Sequence, residues 1–270
     1  MNVLTFNHQF LMRLSAFLGI FLFMAVWETI APRRVPRTPK PLRWFSNLSL
    51  TFLNSLVGRF LFPLSAAGLA MSAETHGWGI LNHLNMPSLV VGLISLGLLD
   101  LAIYAQHFIF HKIRIFWPIH GLHHTDLDID VTTGTRFHPV EIALSLLIKM
   151  GIIVLIGIPA WSFLLFEVLL NGTSMFNHSN VRINTKIDGL LRLVLVTPDM
   201  HRVHHSVIIR EHDSNFGFNL AWWDRMFGTY RDQPEAGHTH MVIGLANFRD
   251  PKGLSFLRLL VLPFSAWRKF

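Results

Sequence analysis

Histidine is the residue type whose number and spacing in this chain indicate chemistry. The sequence has sixteen histidines among 270 residues, although imidazole is neither a strong helix former nor a better packing group than Phe or Leu. His107 and His111 stand four residues apart, so on a helix they share one face and can bind the same metal ion. This pair is the first candidate metal-binding motif.

The string His-x-x-His-His follows shortly after that pair. His120 precedes His123 and His124 by three and four residues, which on a helix places it beside both of them. Because His123 and His124 are adjacent, their side chains diverge enough to bind two different ions. The string therefore predicts a short helix that contributes ligands to more than one metal.

The same string occurs a second time, at the start of another predicted helix. Thr197 is suited to the N-cap and Pro198 to the first helical position. One such string would be a weak motif in a His-rich chain, but two strings and the HxxxH pair together are strong. Eight imidazoles exceed the roughly four to six ligands of one ion, so we predict two metal ions close together. The second string supplies His201, His204 and His205.

The identity of the metal does not follow from these residues, because imidazole binds zinc, copper, iron and nickel alike. The chain has no cysteine, which excludes iron–sulfur clusters and thiolate-bound haem. Di-iron carboxylate bundles need two Glu-x-x-His pairs, and the single such spacing, Glu235 to His238, lies in a glycine-containing loop. The HExxH motif, a P-loop lysine and the dinucleotide-binding glycine pattern are missing. These absences disfavour proteolysis, phosphate chemistry and direct NAD chemistry.

The composition is that of a membrane protein. Hydrophobic residues make up 51% of the chain and charged residues 14%, whereas about a quarter of the residues in a soluble domain are charged. The net charge of +7 is not concentrated in a basic stripe with interleaved aromatic residues. We therefore expect no nucleic-acid partner.

Three stretches reach the length of about 20 apolar residues that a membrane-crossing helix needs. They lie near 12–31, 48–72 and 88–110. The segment 33–43 is rich in Arg and Lys, whereas 73–87 contains neither, so the positive-inside rule places 33–43 in the cytosol and 73–87 outside. The third span then returns inward and delivers His107 and His111 to the cytosolic face.

A further apolar stretch over 141–176 is interrupted by Gly157 and Pro159. We expect a membrane hairpin that either crosses the bilayer or only dips into it, with Lys149 extending toward the interface. Both forms return the chain to the cytosol. The last apolar piece, 254–262, is short and flanked by basic residues, and we expect it to lie in the interface.

These elements predict the fold class and the division of the chain. The fold is expected to be an all-α integral membrane helical bundle of about three spans plus a membrane hairpin, capped by a cytosolic helical histidine-rich domain. We expect N-terminal membrane helices with a basic cytosolic loop over 1–87, a histidine-box core that includes the hairpin over 88–235, and a C-terminal interfacial tail over 236–270.

A polar stripe runs along the predicted third span. Its members Asp100, Tyr104, His107 and His111 fall at i, i+4, i+7 and i+11 of an otherwise apolar helix. An ionisable residue inside a membrane span is a functional candidate, and Asp100 lies roughly 10 Å along the helix axis from His107. Asp100 and Tyr104 are therefore predicted to line a substrate pocket. Alternatively, Asp100 pairs with Arg59 or with a backbone group of a neighbouring helix.

An aromatic run follows the second His-x-x-His-His string. Such rings are favoured at a membrane interface, so the run is expected either to rest there or to pack inside the protein. Its members are Phe216, Phe218, Trp222, Trp223 and Phe227.

Over about residues 88–235 the chain resembles the fatty acid hydroxylase and sterol desaturase superfamily, whose members carry HxxxH, HxxHH and HxxHH boxes. The likeness extends beyond the boxes to the segments 136–141, 177–180, 213–217 and 223–230. The resemblance implies two non-haem iron ions, molecular oxygen as co-substrate, and electrons from a separate ferredoxin-type protein or a b-type cytochrome with its reductase. Zinc could take the place of iron in such sites.

The resemblance also assigns the metal ligands, and no catalytic residue is expected beyond them. His178, where the hairpin returns to the cytosol, is predicted as a ninth ligand, with the alternative that it only holds another ligand by a hydrogen bond. His138 is a tenth candidate, and His212 is expected near the site without binding metal. The box ligands are His107, His111, His120, His123, His124, His201, His204 and His205.

The predicted function is a membrane-bound di-iron oxygenase that hydroxylates or desaturates a C–H bond of a lipid, such as a fatty acyl chain or a sterol. Its active site is expected on the cytosolic face of the membrane, the inner membrane in a bacterium. Two other classes stay open: a zinc-dependent membrane hydrolase, and a metal-binding or transport protein without catalysis. Zinc hydrolases use three protein ligands and transporters bind near the bilayer midplane, so both fit the histidines less well.

Overall fold

The computed structural model describes residues 3–61 and 65–270, and over these residues the protein is all-helical. Strand pairing among the described residues is limited to three isolated bridges. The all-α part of the predicted fold class is confirmed. The α-helices are α1 (Val3–Ile30), α2 (Lys40–Leu61), α3 (Ala66–His76), α4 (Ser88–Lys112), α5 (Trp117–His124), α6 (Pro139–Ile152), α7 (Ala160–Asn177), α8 (Thr185–Leu191), α9 (Pro198–His204), α10 (Ile209–His212), α11 (Trp222–Met226), α12 (Gly237–His240) and α13 (Phe256–Ser265).

Four helical stretches are long and apolar enough to cross a membrane. The predicted spans at 12–31 and 88–110 correspond to α1 and α4. The single span predicted over 48–72 is instead divided between α2 and α3, and residues 62–64 between them lie outside the described part. α3 begins after Ser65, whose side chain caps it by accepting a hydrogen bond from the Gly68 amide at 3.1 Å. Three of these stretches are Leu11–Ile30, Ser88–Lys112 and Pro139–Gly157, and the fourth, Lys40–His83, includes the undescribed residues 62–64.

The apolar stretch over 141–176 folds as a helical hairpin. α6 continues through a π-helical turn at Ile153–Gly157, and together they form a 19-residue, predominantly apolar stretch that is long enough to cross a bilayer. Gly157 has a φ of +83°, which favours glycine, and a Cβ added to Gly79 would lie 2.1 Å from the Gly157 nitrogen. Two glycines therefore allow the hairpin turn to touch the loop before α4.

Lys149 and Glu167 form a buried ion pair between the two limbs of the hairpin. Lys149 Nζ lies 2.5 Å from Glu167 Oε1, and each side chain is only 8% exposed. Arg13 of α1 contacts the second carboxylate oxygen at 3.0 Å. The expectation that Lys149 extends toward the interface is therefore wrong, because a partner inside the bundle satisfies its charge.

The basic segment 33–43 contacts the histidine-bearing helix α9 and the residues that follow α5. Arg33 Nε donates a hydrogen bond to Asp199 on α9 at 2.9 Å. Arg43, near the start of α2, donates to Asp126, just after α5, at 2.6 Å. These arginines, which the sequence presents as a topology signal, thus also tie the α1–α2 connection to α5 and α9.

A hydrophobic core formed by α3, α4, α7 and the π-helical turn fixes α4 within the bundle. Leu99 and Ile103 of α4 pack there with Phe163 and Phe166 of α7, and all four are buried. Close packing of such side chains, and not their removal from water, holds helices together where the surroundings are lipid. The last two turns of α4, which carry His107 and His111, therefore stand at a defined end of the bundle.

Candidate metal centre

Four helices deliver the histidines to one place. α4 ends with His107 and His111, α5 carries the first HxxHH string, and α9 with the residue after it carries the second. α9 starts as predicted, because Thr197 accepts a hydrogen bond from the Met200 amide and Pro198 occupies the first helical position. His178 follows the last residue of α7.

Nine histidines converge in two groups. In each group, one ring nitrogen per residue lies within 4.8 Å of all the others. The adjacent residues of both HxxHH strings are split between the groups, as expected for neighbouring positions about 100° apart on a helix. One group, here called the five-histidine group, contains His107, His111, His120, His124 and His204. The other, the four-histidine group, contains His123, His178, His201 and His205.

Two ring nitrogens of the four-histidine group, Nε2 of His123 and Nε2 of His178, face each other without a proton between them. His178 Nδ1 lies 2.7 Å from the Ser174 carbonyl, and His123 Nδ1 lies 3.2 Å from the Arg136 carbonyl. A carbonyl only accepts, so in a neutral ring each Nδ1 carries the proton and each Nε2 has a free lone pair. These two Nε2 atoms are 3.0 Å apart, and His201 Nε2 is 3.1 Å from that of His178. The close approach of the two unprotonated nitrogens of His123 and His178 is repulsive unless a cation lies between them.

These separations also fit metal coordination. Two imidazole nitrogens bound at right angles to one ion at roughly 2.1 Å lie about 3 Å apart. In the five-histidine group, His111 Nε2 and His124 Nε2 are separated by 3.1 Å. The buried Nε2 atoms of His107, His120 and His204 have no hydrogen-bond partner among the described residues. Both groups can therefore hold a metal ion.

Outer hydrogen bonds orient the rings of the five-histidine group. His107 Nδ1 donates to the Phe216 carbonyl and His204 Nδ1 to the Ser214 carbonyl, each at 2.7 Å. His120 Nδ1 lies 2.7 Å from Glu141 Oε1, a carboxylate in place of a carbonyl. Metal-binding histidines characteristically have such an acceptor on the second nitrogen, which fixes the tautomer and raises ligand basicity. The bonds leave Nε2 of each ring aimed at the group.

Burial keeps the imidazoles neutral. It lowers the pKa of His120 to about 3 and that of His178 also to about 3. The pKa values of His201 and His205 are lowered well below their usual range, first by burial and then by the neighbouring imidazoles. A neutral imidazole offers the lone pair that a metal ion needs. At neutral pH these imidazoles are therefore unprotonated and can bind a metal ion.

A buried carboxylate holds the loop that supplies two of these acceptors. Asp224 accepts hydrogen bonds from the Phe216 amide at 2.8 Å and the Gly217 amide at 2.9 Å. The Thr229 hydroxyl donates to the same carboxylate at 2.7 Å. A Cβ on Gly217 would lie 2.8 Å from Asp224 Oδ2, so glycine permits the close approach. Asp224 therefore fixes the carbonyl that orients His107.

A second buried network holds the C-terminal end of α5. Asp126 pairs with Arg43, and Arg136 donates to the Leu122 carbonyl at 3.3 Å and the Thr125 hydroxyl at 2.8 Å. Burial works to raise the pKa of Asp126, but the guanidinium groups of Arg43 and Arg136 outweigh it and hold that pKa well below its usual range. The network links α2 to the histidine-bearing helix.

His138 does not join either group of converging histidines. It is the N-cap of α6, where its Nδ1 accepts a hydrogen bond from the Val140 amide at 3.1 Å. Its Nε2 lies 3.1 Å from the Leu260 carbonyl of α13. Both ring nitrogens are therefore engaged in contacts that fix the ends of helices.

The two predicted pocket residues occupy different surroundings. Asp100 is buried and accepts hydrogen bonds from Asn219 at 2.7 Å and from the Trp223 indole at 2.8 Å. This is closer to the alternative that Asp100 pairs with a neighbouring segment, although the partner is not Arg59. Tyr104 lines a groove on α4 and stacks on Phe227, with ring centroids 5.3 Å apart.

The aromatic run divides between the interior and the surface. Phe216 and Phe218 are buried against the histidines, with ring centroids 5.6 and 5.1 Å from that of His107. Trp222 and Phe227 are exposed. Packing inside the protein is therefore confirmed for Phe216 and Phe218, and a position at the membrane interface stays a prediction for the exposed rings.

Two carboxylates near the histidines were not singled out as site residues from the sequence. Glu141 stands three residues after the N-cap of α6, where a glutamate ordinarily completes a capping box, but it contacts His120 instead. Asp213 lies 3.5 Å from His111 Nδ1. His212 stacks on Trp117, with ring centroids 5.5 Å apart, and lies beside the five-histidine group. No sequence spacing links Glu141 or Asp213 to its histidine.

Comparisons with known proteins identify one family model and several similar proteins. The sequence model of the fatty acid hydroxylase family matches residues 92–229, just over half of the chain. Ornithine lipid hydroxylase OlsE of Rhizobium tropici is 26% identical over 275 residues, which cover 98% of this chain and 77% of that protein. Alkylglycerol monooxygenase of Homo sapiens is 30% identical over 175 residues, which cover 63% of this chain and 36% of that protein. No solved structure matches the chain.

Proposed function

The chain belongs to the fatty acid hydroxylase family, and we propose that it is a membrane-bound di-iron oxygenase that hydroxylates a C–H bond of a membrane lipid. The observation that carries the proposal is the convergence of nine neutral, buried imidazoles in two groups at the end of a membrane helix. The relatives named above are lipid hydroxylases and monooxygenases. They support hydroxylation in preference to desaturation.

Iron fits the donor set, although imidazole alone does not select it. The nine nitrogens exceed the three protein ligands that a catalytic zinc site uses. We propose His107, His111, His120, His124 and His204 as ligands of one ion. We propose His123, His178, His201 and His205 as ligands of the other, and we leave His138 out because both of its nitrogens are engaged elsewhere.

The bound irons would supply the activation of O2, which acid and base side chains cannot provide. The overall reaction is R–H + O2 + 2 e⁻ + 2 H⁺ → R–OH + H2O, in which one oxygen atom enters the lipid and the other leaves as water. The two electrons come from a separate redox protein, of ferredoxin type or a b-type cytochrome with its reductase.

The protein itself positions ligands and excludes water. Glu141 and the carbonyl groups of Phe216 and Ser214 hold three rings in one tautomer each. Phe216 and Phe218 cover the groups with apolar surface, which keeps water from a reactive site. The positive-inside rule predicts that the basic segment 33–43 lies in the cytosol. Because this segment contacts α9, we propose that the metal centre lies on the cytosolic face.

The proposal is tested with the purified protein, reduced donor and ¹⁸O2 on an extract of membrane lipids. We expect a lipid product whose mass has risen by one ¹⁸O atom, and loss of that product in a variant that carries His204→Ala. A product that has lost two hydrogens without gaining oxygen would make the protein a desaturase. Cleavage of the lipid without oxygen, by protein that contains zinc, would make the protein a hydrolase. Metal binding without any lipid product would indicate a metal-binding or transport protein without catalysis.

A further inference from the structure

A groove of about 360 Å³ lies along α4 beside α11. α4 is one of the helices long and apolar enough to cross a membrane, and Phe108 and Ile109 in the groove are exposed on it. The only hydroxyl in the lining, that of Tyr104, is bound to Thr229 at 2.9 Å. The lining consists of Leu101, Tyr104, Ala105, Phe108, Ile109 and Phe227.

The ring of Phe216 contacts both the groove lining and the five-histidine group. Phe216 is fully buried, and its ring centroid lies 5.3 Å from that of Phe108 on the groove side. On the other side it lies 5.1 Å from His111 and 5.5 Å from His204. Removing or turning this ring would join the groove to the place where two ligand rings converge.

The surroundings of the groove match those of a lipid. The lining from Leu101 to Ile109 extends about 12 Å along the helix axis, and chains of the surrounding bilayer run in the same general direction. Beyond Ile109, Lys112 forms an ion pair with Asp213 at 2.6 Å, so charged groups follow the apolar lining at the end where α4 leaves the membrane. Phe227 extends the exposed apolar surface onto α11. An apolar slot with a charged end suits a hydrocarbon chain and its headgroup.

We propose that this groove binds the hydrocarbon chain of a membrane lipid, and that Phe216 is a positioning residue which sets how closely the chain approaches the five-histidine group. That the bound chain is also the one oxidised rests on the proposed function. Binding in the groove requires neither turnover nor a particular metal. The two claims can therefore be tested apart.

Photolabelling tests the groove directly. The full-length protein is placed in phosphatidylcholine vesicles that contain a phosphatidylcholine with a diazirine on one acyl chain, and labelled residues are mapped by mass spectrometry. We compare the wild type with Ala105→Trp, which fills the groove, and with Leu93→Trp, a change of the same kind at an exposed position of α4 outside it. Ala105→Leu is a smaller filling variant for use if the tryptophan prevents folding.

We expect labelling of residues 101–109 in the wild type and an about five-fold decrease in Ala105→Trp, because a filled apolar site leaves no room for a second occupant. Leu93→Trp should leave this labelling unchanged. The proposal is overturned if labelling of 101–109 falls equally in both variants, if it falls in neither, or if a protein partner is crosslinked there instead of lipid.

Phe216→Ala tests the role of the ring as a partition. We expect new labelling within 201–205, where the wild type has none, because the chain can then pass toward His204. Phe163→Ala, a buried phenylalanine of the α3, α4 and α7 core, is the matched control and should produce no such labelling. Absence of new labelling in a folded Phe216→Ala protein would contradict the partition.

The outcomes separate the groove from the proposed function. If labelling follows the groove but no oxygen enters any lipid, the binding site stands and the oxygenase proposal fails. If lipid is hydroxylated but Ala105→Trp does not change the labelling of residues 101–109, the oxygenase proposal stands and the proposed lipid-binding role of the groove is wrong. In an active enzyme, Phe216→Ala should also move the position of hydroxylation along the chain, which a purely structural role would not do.

Discussion

Nδ1 of His120 lies 2.7 Å from Oε1 of Glu141, and both side chains are buried. The contact joins the first HxxHH helix to the first turn of the membrane hairpin, 21 residues later in the chain. It leaves His120 Nε2 without a partner among the described residues and directed into the five-histidine group. Such an acceptor fixes the tautomer of the ring and raises its basicity as a ligand.

Replacing that carboxylate should weaken one metal site and spare the other. Glu141→Gln keeps the shape and can still accept a hydrogen bond, but it lacks the charge. We expect the affinity of one ion to fall about 10- to 100-fold while the second ion is retained. Metal content per chain after dialysis against graded chelator measures this, with the exposed Glu74→Gln as control. Equal loss of both ions would contradict the assignment of Glu141 to one group.

Single ligand substitutions should remove one ion each. His204→Ala takes a ligand from the five-histidine group, and His201→Ala takes one from the four-histidine group. We expect each of these variants to retain about one ion per chain after dialysis, because the other ion is bound less tightly than in the wild type. His138→Ala should retain both ions. Because His138 caps α6 and also contacts the Leu260 carbonyl of α13, its removal should cost about 1–2 kcal/mol of stability. Metal loss in His138→Ala equal to that in His201→Ala would return His138 to the ligand set.

The buried network around Asp126 should matter for stability. Asp126→Asn leaves Arg43 and Arg136 with less compensating charge inside the protein, and breaking a buried pair typically costs about 3–5 kcal/mol. We expect a lower free energy of unfolding in detergent, measured by denaturant titration. Asp250→Asn is the control, because Asp250 is exposed and asparagine can also cap its helical turn. A stability equal to that of the control would show that the network does not support α5.

The metal-free protein should lose stability as the pH falls. The pKa values of buried His120 and His178 are about 3, below the unfolded value of about 6.5, so below that pH the unfolded chain binds more protons. Each of the two should then cost about 1 kcal/mol of stability by about pH 5.5. Thermal unfolding of chelator-treated protein between about pH 8 and 5.5 measures the effect, and the midpoint should fall. A midpoint that does not change would mean that these rings are not buried in the metal-free state.

The part of the site that sequence predicted is the part encoded by local helical spacing. His107 and His111, or His123 and His124, have directions that follow from the 3.6-residue repeat alone. Apolar length likewise predicted α1, α4 and the hairpin, because a membrane crossing needs a minimum number of residues. It did not predict the division between α2 and α3, which a capping serine marks.

The remainder depends on contacts between distant segments. His138 and His178 are both single histidines beside the hairpin, and only the fold shows that one caps α6 while the other meets His123. From the sequence alone Asp100 is assigned to a pocket, because its partners Asn219 and Trp223 lie more than a hundred residues away along the chain and cannot be recognised from spacing. Backbone carbonyl acceptors leave no signature in the sequence, since every residue type has one.

The most direct test of the central claim is the metal content of the full-length protein purified without oxygen and measured by elemental mass spectrometry. If the five-histidine and four-histidine groups each hold an ion, the protein should contain two iron ions per chain. A content of one metal ion or none in folded protein, or an oxygenase that is fully active with zinc alone, would contradict the two-iron centre.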